Sequence, residues 1–150
     1  MHNTLKFISK KELNELRTKT SEEFFKVIID GEKISTWVDY WNAISKAFSF
    51  PDLPSYMEPD YHSYYDLMTD LSWLKKESII LVIEKAEAFL KSDLKLKNDI
   101  IKDFREYLLP FWEKEVLKTV VDGKKKNFCV YFIINDEVTT NFNSVDSYKI

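Results

Sequence analysis

Three short apolar runs constrain the fold more than any other feature: residues 24–29 (FFKVII), 78–83 (SIILVI) and 128–134 (FCVYFII). Continuous β-branched and aromatic runs of this length predict strands buried on both faces, as in a parallel sheet. Between the first two, Trp37, Tyr40, Trp41, Ile44, Ala47 and Phe48 follow the i, i+3, i+4, i+7 spacing of a helix buried along one side. Ser35 or Thr36 can cap its start. Pro51 and Pro54 then break the chain, and a second helical pattern runs from about Asp60 to Leu74. After the second strand, Leu96, Ile100, Ile101, Phe104, Leu108, Phe111 and Trp112 mark a long helix, capped by Ser92 or Asp93. Pro110 falls inside that pattern and is expected to kink it or end its first part. Asp30-Gly31 and Asp122-Gly123 mark turns. Strand, helices, strand, helix, strand is the βαβ order of a small α/β domain with a parallel sheet.

The composition fits one domain and excludes several kinds of function. At 150 residues, 45% hydrophobic and 31% charged, the chain is long enough for one sizeable core without disulfides or metals. Glycine occurs only at Gly31 and Gly123, which leaves no glycine-rich phosphate loop. Cys129 stands alone within the third apolar run, so it reads as a small core residue rather than a nucleophile or metal ligand. With only His2 and His62 present, histidine-dependent catalytic constellations have almost no material, and no enzyme is expected. The net charge of −3 argues against general nucleic-acid binding. No stretch resembles a secretory signal or reaches the ~18 apolar residues of a membrane helix, so a cytoplasmic protein without cofactor or metal is expected. The first 23 residues form a polar leader, rich in lysine, that reads as a short surface helix.

The informative segment is 51–77. Asp52, Glu58, Asp60, Asp66, Asp70 and Glu77 face only Lys75 and Lys76, a local balance of −4, while the remainder carries 20 basic against 19 acidic residues. On a continuous helix, His62, Asp66 and Asp70 fall at i, i+4 and i+8 with Thr69 beside them. Tyr61, Tyr64, Tyr65, Met68 and Leu71 form the adjoining apolar face. His62, one turn before Asp66, can hold that carboxylate by a hydrogen bond or stand as an exposed, idle histidine. Acids clustered beside tyrosines suit a protein partner with a cationic cleft: opposite potentials speed encounter, and aromatics supply anchoring area.

At this segment the sequence resembles the barstar family of intracellular ribonuclease inhibitors. Val27-Ile28-Ile29-Asp30-Gly31-Glu32-Lys33-Ile34 is similar to the family's first strand and turn. Leu53-Pro54-Ser55-Tyr56, followed by Tyr65-Asp66 and then Thr69, resembles its inhibitory loop and helix. Asp70-Leu71-Ser72-Trp73-Leu74 resembles the ending that this segment takes in many bacterial members, and Phe104-Arg105-Glu106 resembles part of a later helix. The likeness spans about residues 24–134, with the leader before it and a tail after it.

The resemblance implies a barstar-like three-stranded parallel sheet packed with about four helices. It also implies a protein that plugs the active site of a basic extracellular-type ribonuclease or related toxin, its acids standing in for substrate phosphate. Asp66 becomes the central carboxylate, with Tyr56, Asp60, Tyr65, Thr69 and Glu106 as supporting contacts; His62 and Asp70 complete the candidate edge. The chain departs from the family at Met57-Glu58-Pro59-Asp60, where glycine and asparagine are common, and at Tyr65, where tryptophan is frequent. A monomer that binds neither nucleic acid nor membrane is expected. The same acidic face leaves a second use open: docking a basic regulatory partner without inhibiting a nuclease.

Overall fold

A computed structural model describes residues 2–19 and 24–135 of the chain. Strands β1 (Thr4–Ser9), β2 (Phe25–Asp30), β3 (Ser78–Glu84) and β4 (Asn127–Ile134) form one sheet in the order β1-β4-β3-β2. Every neighbouring pair is parallel; Val27 pairs with Leu81, Leu81 with Val130, and Phe7 with Phe132. The sheet therefore has four strands, not three. The added strand comes from the polar leader, where Leu5 and Ile8 are buried while Lys6 is exposed.

Helix α1 (Lys10–Lys19) follows β1 directly. A reciprocal cap starts it: the Glu12 amide donates to Ser9 Oγ at 3.1 Å, and the Ser9 amide donates to Glu12 Oε1 at 3.2 Å. Its Leu13, with Leu16 beside it, covers Ile8, Val82, Cys129, Tyr131 and Ile133 on one face of the sheet. The other face carries the main core, where Val27, Ile29, Ile79, Leu81, Phe128 and Val130 meet the remaining helices. Strands β3 and β4 are thus buried on both faces, as their unbroken apolar runs require. Strand β2 is not: at the sheet edge it buries Val27 and Ile29 but leaves Lys26 and Ile28 exposed, because α1 does not reach it.

Three helices pack on the main face. Helix α2 (Trp37–Ala47) starts in a capping box between Thr36 and Asp39, and buries Tyr40 and Ile44. Helix α3 (Tyr61–Met68) is shorter than its periodicity suggests. Helix α4 (Leu94–Asp103), capped by Asp93, runs on through wide π-helical turns at Phe104–Leu108 and Phe111–Glu115 into α5 (Val116–Thr119). Pro110 does not end this long helix. It sits with helical φ −63° between the two wide turns, where the regular hydrogen-bond ladder is already interrupted. Gly31 has an ordinary negative φ; its role is close approach, since a Cβ there would press into the carbonyl oxygens of Glu84 and Lys85.

Candidate partner-binding edge

Helix α3 is held from its inner side. Tyr64, Met68 and the following Leu71 are completely buried, and Tyr64 and Tyr40 share a hydroxyl–hydroxyl hydrogen bond of 2.8 Å. The Trp112 indole donates to the Met68 carbonyl at 2.8 Å, tying the end of α3 to the long helix. At its start the Tyr61 hydroxyl donates to the Asp99 carbonyl at 3.3 Å. Two anchors to one neighbouring helix set the azimuth of α3, and so decide which residues face outward.

Asp60, His62, Asp66 and Asp70 are the exposed acids and histidine of that outer side. Asp60 is the N-cap: its Oδ1 accepts from the Ser63 amide at 2.9 Å, which holds the carboxyl below its ordinary range. His62 Nε2 lies 3.5 Å from Asp66 Oδ2, with the Asp66 side chain 53% exposed. The i, i+4 spacing brings the two side chains to ion-pair range. No lysine or arginine among the described residues pairs with Asp60, Asp66 or Asp70.

Asp70 does not continue the helical row. The helix ends at Met68, Thr69 is its C-cap, and Leu71 takes a left-handed φ of 49°. A left-handed backbone costs a non-glycine residue about 1–2 kcal/mol, and full burial of the Leu71 side chain offsets it. The half-buried Thr69 donates its hydroxyl to the Tyr65 carbonyl at 2.8 Å, at the end of α3. Tyr65 is half-buried near Asp103, Tyr107 and Asp66; burial first, then these acids, raise its hydroxyl above the ordinary value. Tyr56, in the preceding loop, is 84% exposed. Glu106 is exposed on the first wide turn, its carboxylate 3.8 Å from the Lys102 ammonium. No hydrogen bond or ion pair joins it to Asp66.

Two features were not expected from the sequence. Asp103, on the inner side of the long helix, is 8% exposed and has a buried oxygen, Oδ2, without a hydrogen-bond partner. Burial pushes its carboxyl up to about 6, with Tyr61 acting in the opposite sense. The second feature is an open pocket of about 430 Å³ beside the start of α3, lined by Trp37, Glu58, Pro59, Asp60, Tyr61 and Leu96. The Trp37 indole donates to the Pro59 carbonyl at 2.8 Å and stacks on Tyr61 at 5.2 Å, fixing the acidic loop against α2. The sequence placed Trp37 and Leu96 on helical apolar stripes, Tyr61 on an apolar face and Asp60 among the acids, but not their meeting around one pocket.

Among the described residues no group of three or more histidine, cysteine or acidic side chains could hold a metal, and no helix is long and apolar enough to cross a membrane. The fold and this edge together define a parallel α/β protein with a row of exposed acids on a short, anchored helix and its preceding loop. The sequence model for Barstar (barnase inhibitor) matches residues 24–131, and the chain belongs to that family. Strand β1 and helix α1 precede the matched residues. No curated protein matches the sequence.

Proposed function

We propose that the protein is an immunity-type inhibitor that binds a bacterial ribonuclease toxin and blocks its cationic active site. The loop at 51–60 and helix α3 form the docking edge, with Asp66 as the central carboxylate and no catalytic role for the chain itself. One observation carries this reading. Asp66 stands exposed, without a lysine or arginine partner, on a helix whose opposite face is locked into the core. A carboxylate positioned in advance loses little freedom when a partner's cations close on it. His62, Asp60 and Asp70 extend the negative edge, Tyr56 offers exposed aromatic area, and Tyr65 packs beneath the edge. Thr69 acts through the helix end, and Glu106 contributes charge from the neighbouring turn.

The test is capture of partners from the native host with wild-type protein and Asp66→Ala in parallel, each recovered partner being assayed for RNA cleavage and its suppression. A nuclease captured and inhibited by wild type is the expected result. Asp66→Ala should weaken its binding by about a hundredfold or more, because the partner's cations are left buried without their counter-charge. A non-nuclease basic partner would transfer the same edge to a regulatory use. Undiminished binding by Asp66→Ala would remove Asp66 from the site.

A further inference from the structure

The pocket beside the start of α3 has a chemistry of its own. Its walls are Trp37, Pro59, Tyr61 and Leu96, apolar surface contributed by α2, the acidic loop, α3 and α4. Its rim is anionic. The Glu58 side chain is exposed and makes no hydrogen bond or ion pair among the described residues, while its carbonyl accepts from the Asp60 amide at 2.8 Å; Asp60 caps α3 through Oδ1. Lys95, next to Leu96 in the chain, is already paired with Asp99 at 2.9 Å. An apolar socket with two carboxylates at its mouth, neither paired with a lysine or arginine among the described residues, suits a long side chain that is greasy along its stem and positive at its tip. A guanidinium fits this better than an ammonium, since it is more weakly hydrated and can meet two carboxylates with separate donors.

We infer that this pocket takes an arginine side chain of the partner, its methylenes against Trp37, Tyr61 and Leu96 and its guanidinium on Glu58 and Asp60. That the arginine belongs to a nuclease rests on the inhibitor reading; the pocket's choice of a guanidinium does not. The contact would lie at the N-terminal end of α3, about one and a half helical turns before Asp66, and would add a second anchor that selects among partners by their rim residues.

The test uses the full-length protein and three small probes: the N-acetyl methylamides of arginine, citrulline and norleucine. The readouts are the Trp37 indole N–H and the Tyr61 and Leu96 amide resonances. Arginine should shift all three saturably at millimolar concentration. Citrulline, isosteric but uncharged, should bind about fivefold more weakly, the size of a partly exposed ion pair. Glu58→Gln should weaken arginine by about two- to fivefold while leaving the fold intact, and Asp66→Ala should leave it unchanged. Norleucine binding as tightly as arginine, or no shift of the Trp37 indole with arginine, would overturn the assignment. A protein that binds the arginine probe but suppresses no ribonuclease keeps the pocket and loses the inhibitor reading. One that inhibits through Asp66 yet treats arginine and citrulline alike loses the pocket alone.

Discussion

The two sides of helix α3 are built on opposite principles. Its inner side, Tyr64 and Met68 with Leu71 just beyond, has no solvent contact and is cross-tied to α2 and the long helix. Its outer side, His62 and Asp66 with Asp70 beyond, touches almost nothing within the chain. The inner side supplies stability and aim; the outer side is free to change with a partner because the fold does not depend on it. That separation can be attacked from either side, and the inner side should yield the larger effects.

Met68→Ala should be the most damaging change. It deletes a completely buried side chain and leaves a cavity in the main core beneath α3, at a cost of about 3 kcal/mol, read as a lower urea midpoint with unchanged slope. A cost below about 1 kcal/mol would mean that α3 is not held as described.

Asp103 sharpens the comparison through pH. Its folded pKa of about 6 lies above the ordinary value of 3.8, so the folded state holds its proton more tightly than the unfolded state does. Its contribution is therefore fully favourable below about pH 4 and is lost as pH rises through about 6, a swing on the order of 2–3 kcal/mol. Asp103→Asn should abolish that swing, so the variant gains stability relative to wild type between about pH 4 and pH 7. Parallel denaturation curves across that range check it; a constant difference would remove the buried carboxylate from the account.

Tyr64→Phe comes next. It leaves the Tyr40 hydroxyl buried and short of its partner, costing about 1 kcal/mol. Adding Tyr40→Phe should recover part of this, and strict additivity of the two changes would show that the hydroxyls do not interact.

The same division explains what was legible in the sequence. The runs at 78–83 and 128–134 announce strands because both faces are buried, and Cys129 is placed in the core by the run that contains it. Strand β1 was hidden because an edge strand needs apolar residues on few positions: Thr4, Lys6 and Ser9 made six strand residues look like part of a polar leader. A polar residue just before it also helps to anchor it. The Asn3 side chain donates to the Leu109 and Lys126 carbonyls and accepts from the Phe128 amide, contacts more than 100 positions away in the chain. No local pattern announces such a residue. Helix α3 was drawn too long for a related reason: Leu71 continues the apolar spacing, but its burial is reached through a left-handed turn rather than another helical one. The row His62, Asp66 and Asp70 was thus legible only for its first two members. In the long helix, of the two outcomes expected at Pro110 the ending does not occur, since proline is a reliable breaker only where the regular ladder needs its missing amide.

Asp66→Ala should produce the smallest change in stability of all these substitutions, within about 0.5 kcal/mol of wild type. The carboxylate is half exposed, its one polar neighbour is the exposed His62 imidazole at 3.5 Å, and solvent screens any charge interaction there. Thermal and urea denaturation should therefore superimpose on those of wild type, while partner binding falls by the large factor expected of the docking edge. A variant that unfolds appreciably more easily would show that Asp66 helps hold α3 in place, and any loss of binding would then report on the helix rather than on the contact. Unchanged stability with lost binding is the combination that assigns the two sides of α3 to separate tasks.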